Sequence, residues 1–90
     1  MSISELLSHG KQNAVPLRDL AAMTGLPGRT VRAMIERERR AGVPILSDNL
    51  HGYYLPGEDN DIPRFVRSMR HRAIEILRTA SAVERGGGPD

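Results

Sequence analysis

The sequence predicts a mostly α-helical fold that carries one small β-hairpin and ends in a long C-terminal amphipathic helix. Three observations predict it. Gly10, Gly25 and Gly42 each follow a stretch with helical spacing of apolar residues, and glycine readily takes the left-handed conformation that stops a helix. Two short runs, 43–47 and 52–55, flank Asp48-Asn49-Leu50-His51 as two strands flank a hairpin turn. From residue 62 the apolar residues Ile62, Phe65, Val66, Met69, Ala73, Ile76, Leu77, Ala80 and Val83 recur at helical spacing.

The elements follow in order. Ser2-Ile3-Ser4-Glu5 reads as a capping box, with Ser2 as cap and Glu5 reaching back to free amides, so a short helix is expected up to Gly10. Residues 13–16 form a brief extended piece, enough for an edge strand. A second short helix spans 17–23, with Leu17, Leu20 and Ala21 on one side and Gly25 as its stop. Pro27 is tolerated in the first turn of a third helix, 27–41, of about four turns. Val31, Met34 and Ile35 face inward there, and Glu38 lies lower on the same side. Pro44 places the entrance of the first strand at a sheet edge. In the second strand Tyr53 and Tyr54 alternate, one toward the core and one outward. After an acidic linker, the last helix runs through residue 85 for about 24 residues, or roughly 36 Å. Residues 86–90, Gly-Gly-Gly-Pro-Asp, are expected to be a disordered tail.

Composition narrows the function. With no cysteine, disulfides, thiolate metal sites and a cysteine nucleophile are excluded. No apolar run is long enough to span a membrane, and the first residues lack the pattern of a signal peptide, so a cytoplasmic location is expected. Among the 13 cations only Lys11 is not arginine, and net charge is +2. The charge is segregated: residues 27–41 carry +3, residues 42–61 carry −4 and residues 62–85 carry +4. Arginine's planar fork suits phosphates and guanine edges. His9, His51 and His71 lack metal-ligand spacing, and no glycine-rich phosphate loop follows a strand. No enzymatic activity, cofactor or metal is therefore expected.

Ala21, Gly25 and Val31 stand at the spacing of a helix-turn-helix: a small residue for close helix approach, a glycine for positive φ, and a β-branched plug between the helices. With Gly-Val-Pro-Ile and Gly-Tyr-Tyr-Leu in the hairpin, residues 3–55 resemble a winged helix-turn-helix domain and are similar to small bacterial and prophage-type regulators. The resemblance implies a DNA-binding domain over 1–57 with three helices and a two-stranded wing. Residues 58–85 would serve packing or dimerisation. It further implies transcription regulation, with helix 27–41 in the major groove of double-stranded DNA. Pro27-Gly28 departs from the Ser or Thr that usually caps that helix, at a cost of about 1 kcal/mol. The hairpin tip carries Asp48 and no cation, so a wing contact to the minor groove is not transferred.

The candidate DNA-binding residues follow from spacing. Arg29, Arg32, Ala33, Glu36, Arg37 and Arg40 form one stripe opposite Val31 and Ile35. Arg29 and Arg32, near the helix start, are the candidates for base reading, with Thr30 beside them. Arg37 and Arg40 fall where phosphates run. The bland alternative is a solvated face held by pairs such as Glu36–Arg40 and Glu36–Arg39. Lys11 and Arg18 precede or open the second helix, whose start can hold a phosphate; Arg18 can equally pair with a neighbouring carboxylate. The last helix outreaches the small core, and a homodimer through it is the economical answer, with a membrane-surface helix the weaker alternative. No small-molecule ligand is expected. The competing function class is a protein-interaction module that uses the same fold to dock a partner.

Overall fold

Leu20, Val31 and Ile35 decide where the helices meet. They occupy the inward stripes of two helices, and with Ile3, Leu7 and Ile45 they form one buried cluster. The computed structural model describes residues 1–87. Two 3₁₀ turns, Ile3–Leu6 and Lys11–Asn13, lead into α1 (Leu17–Thr24) and α2 (Gly28–Arg40). The hairpin strands β1 (Leu46–Asp48) and β2 (Gly52–Tyr54) follow, then α3 (Asp61–Gly87). The chain is thus mostly helical with one two-stranded antiparallel hairpin, paired Leu46 to Tyr54, Ser47 to Tyr53 and Asp48 to Gly52. No helix of the described residues is long and apolar enough to cross a membrane.

The segment before α1 is where expectation and structure part. The expected helix over the first ten residues is a single 3₁₀ turn, and Ser2 makes no capping bond. The amides of Ile3 and Ser4 instead donate to the carboxylate of Glu38 on α2, at 2.7 and 3.0 Å. A charged acceptor across the core outcompetes a local cap, because both amides are satisfied at once and Ile3 is drawn under α2, fully buried. The extended piece at 13–16 shrinks to one residue: Val15 and Tyr53 exchange both amide bonds, at 2.8 and 2.9 Å, on the far side of β2 from β1.

Gly25 closes α1 in the left-handed region (φ 72°), its amide bonding to Ala21 O at 2.8 Å. Pro27 stands just outside α2, at the cap position, and no side chain caps the helix there. Gly52 has φ 109°, and a Cβ there would collide with the carbonyl of Val15, so the crossing of β2 against Val15 requires glycine.

Neither tyrosine of β2 points freely outward. Tyr54 is buried, and burial together with Asp61 and Asp48 pushes its hydroxyl pKa up. Tyr53 is half-buried against the core cluster and lies under Arg39. The second face of the hairpin is covered because α3 lies against β1. At the first residue of α3, the Asp61 carboxylate turns back to accept the amides of Gly57 and Glu58 at 2.8 and 3.0 Å, which fixes the acidic linker and lowers the pKa of Asp61. At the other end α3 continues through Gly86 and Gly87, the start of the expected tail; extending an existing helix costs only about 1 kcal/mol per glycine. The remaining three residues of that tail lie outside the described residues.

Candidate functional site

Because Val31 and Ile35 are buried, helical geometry turns the opposite face of α2 to solvent. Arg29, Arg32, Ala33, Glu36, Arg37 and Arg40 are all exposed on that face. Among the described residues Arg29, Arg32 and Arg37 make no ion pair. Glu36 sits mid-stripe and reaches Arg39 at 4.0 Å and Arg40 at 3.9 Å, long contacts that contribute little in water. Thr30 is half-buried at the margin of the stripe, so of the residues expected to act together it is the least available.

A polar groove of about 470 Å³ runs between this face and the hairpin. Arg32 borders it from α2, Arg18 from the start of α1, and Arg72 from α3. Asp48, His51 and Tyr53 close it from the hairpin side. Arg18 is largely exposed and touches Asp19 at only 3.9 Å, so its charge remains presented to the groove. Spacing alone had not marked Arg72. It lies seven residues after Phe65, hence on the same helix face, and the packing of Phe65 on Arg39, which only the fold supplies, brings it to the groove.

Arg39 organises the base of this groove. Its Nε donates to Ile45 O at 2.7 Å and an Nη to Ser47 Oγ at 3.2 Å. Its guanidinium lies 5.9 Å from the Tyr53 ring centroid and 5.0 Å from that of Phe65. Burial pulls its pKa down, Glu36 and Tyr53 act against that, and Arg72 adds to it; arginine stays charged throughout. This one side chain ties α2, both strands and α3 together, which no local motif in the sequence signals.

Lys11 stands apart from the stripe. Its ammonium is 3.1 Å from Asp48, at the hairpin turn. The Asp48 carboxylate also accepts the amides of Leu50 and His51, at 2.8 and 2.6 Å, and contacts His51 Nδ1. Desolvation raises the Asp48 pKa, but hydrogen bonds from the His51 side chain and backbone, from Lys11 and from Leu50 outweigh it and hold the group well below the usual carboxylate range. The carboxylate at the hairpin tip is therefore a turn clamp with a counterion, not the bare negative charge that the sequence implied. Comparison with family models, with curated proteins and with solved structures finds no match for this chain.

Proposed function

We propose that the chain is a winged helix-turn-helix protein that binds double-stranded DNA sequence-specifically, as transcriptional regulators do. Residues 1–57 are the DNA-binding domain, and α2 enters the major groove. The observation that carries this reading is the exposed α2 face, where Arg29, Arg32 and Arg37 stand without ion pairs among the described residues, above a buried Val31 and Ile35. A guanidinium near the start of such a helix forks onto guanine O6 and N7, so Arg29 and Arg32 read bases. Arg37 and Arg40 meet phosphates and fix register without reading sequence.

The groove beside α2 extends the cationic surface. Arg18 and Arg72 flank Arg32 there, at positions suited to the phosphates that border a major groove. Lys11 supports the surface indirectly, by neutralising Asp48 so that the hairpin repels phosphate less. Glu36, in mid-stripe, accepts a hydrogen bond from cytosine N4 or excludes bases that offer none.

The test is fluorescence anisotropy with a random 30-base-pair duplex at two salt concentrations. Affinity that falls steeply with salt, and an Arg29→Ala, Arg32→Ala double variant that loses about tenfold or more against a selected site, are the expected results. Unchanged affinity in the double variant overturns the base-reading assignment. Absence of binding at low salt makes the α2 face a protein-docking surface.

A further inference from the structure

We infer that α3 pairs with the α3 of a second copy of this chain as an antiparallel two-stranded coil, through a seam in which large side chains of one helix fill gaps left by alanines of the other. The seam is Ile62, Val66, Met69, Ala73, Ile76, Ala80 and Val83, spaced alternately four and three residues apart without a break. That is a heptad repeat over three turns of the pattern, long enough to define a coiled-coil face. The seam leaves the protein's own core early. Ile62 and Met69 are 43% and 41% exposed, Ile76 and Val83 rise to 63% and 69%, and Ala73 and Ala80 are exposed.

The occupant follows from the sizes along the seam. One heptad position holds Ile62, Met69, Ile76 and Val83, and the other holds Val66, Ala73 and Ala80. In a parallel pair each position meets itself, so alanine layers would leave voids between layers of isoleucine and methionine. In an antiparallel pair the two positions meet each other. Ala73 then faces the partner's Ile76, Met69 faces the partner's Ala80, and Val66 faces the partner's Val83. Met69 and Ile76 each find an alanine and Val66 a matched valine, while Ile62 lies one layer beyond the partner's Val83. The seam is complementary to its own reverse, which is a property of a surface made for a second copy.

The base of α3 holds room for the partner's end. Ile62, Phe65, Val66 and Met69 line an open, mainly apolar groove of about 330 Å³ with Val43, Pro44 and Leu46. In the antiparallel register the partner's Ala80 and Val83 arrive over Val66 and Met69, at the mouth of that groove. The same register sets Phe65 of the two chains about 28 Å apart along the pair, at 1.5 Å per residue. Phe65 anchors each domain through Arg39. That separation is comparable to the roughly 34 Å between half-sites one DNA turn apart. The half-site spacing rests on the DNA-binding reading above; the pairing itself does not.

Sedimentation equilibrium of the full chain without DNA is the first test, and a dimer at roughly 100 μM is the expected result. A monomer at that concentration overturns the proposal. Ile76→Glu, far from the core, is expected to raise the dimer dissociation constant about a hundredfold or more, with the thermal transition of the monomer retained. A variant that still dimerises like the native chain overturns the seam. Direction is read by cysteine cross-linking, since the chain has no cysteine of its own. A Met69→Cys chain mixed with an Ala80→Cys chain should form the mixed disulfide on oxidation, and neither chain alone should cross-link. Self-cross-linking of each chain alone identifies a parallel pair and overturns the antiparallel one. A dimer that ignores DNA leaves this inference standing and removes the DNA reading; a monomer that binds DNA does the reverse.

Discussion

Residues 1–57 and α3 are built on opposite principles. The first region buries Ile3, Leu20, Val31, Ile35 and Ile45 almost completely, and its loops are tied down by side chains of α2, Glu38 to Ile3 and Arg39 to Ile45. The second has 27 residues in one helix and no buried residue at all. It stays helical through backbone bonds and propensity, and it leans on the domain only near Phe65. The contrast teaches that apolar periodicity announces a face and does not say what covers it. In α1 and α2 the same chain covers it; in α3 the face runs on past the domain.

The comparison is broken most severely in the core. Leu20→Ala is expected to cost about 3 kcal/mol in urea unfolding, whereas Ile74→Ala, off the seam of α3, should stay within about 0.5 kcal/mol. Equal losses would mean that α3 is an integral part of the core. Two glycines sharpen the same point for the backbone. Gly52→Ala meets both a positive φ and the Val15 carbonyl and should cost about 3 kcal/mol, against about 1 kcal/mol for Gly25→Ala, which has open space around it. Near-equal effects would show that β2 can shift away from Val15.

Glu38→Ala removes the acceptor of two amides and should destabilise by about 2 kcal/mol while leaving α2 helical by circular dichroism. A loss under about 0.5 kcal/mol would return the cap to Ser2 and Glu5. The smallest effect belongs to the hairpin tip. The Asp48 pKa is lower folded than unfolded, so its contribution is fully present above the ordinary carboxylate value of about 4 and is lost as pH falls through the folded value. Asp48→Asn should therefore lower Tm at pH 7 by an amount worth about 1 kcal/mol, with the gap to the native chain narrowing below about pH 4. A gap that does not change with pH would show that the turn needs the shape of Asp48 and not its charge.

Much of the architecture was legible in the residues. Gly25 ends its helix where local chemistry says it must, Val31 and Ile35 turn inward, and a hairpin forms where the two apolar runs stand, although β1 begins only at Leu46 and takes in Asp48, which the spacing places in the turn. The exposed arginines of α2 were equally legible, because burying one helical stripe dictates which residues remain outside. The polar ties were not. Ser2 and Glu5 carry the spacing of a local cap, yet Glu38 takes the amides. Lys11 looked available for a phosphate, yet it pairs with Asp48. Arg39 looked like one more cation beside Glu36, yet it joins four elements.

What the sequence determined by itself, then, is whatever depends on neighbours within a turn or a strand pair: the helix stops, the inward stripes, the hairpin, and the unbroken four-three seam of α3. These follow from φ preferences and side-chain periodicity, which act over a few residues. Only the tertiary structure decided which charges are spent inside the molecule and which remain presented. That choice depends on which groups the packed core brings within about 3 Å of one another, as it does Glu38 and Ile3 across 35 residues of chain. Hydrogen bonds and ion pairs are short-ranged in space and indifferent to separation in sequence, so their partners become known only once the core has closed.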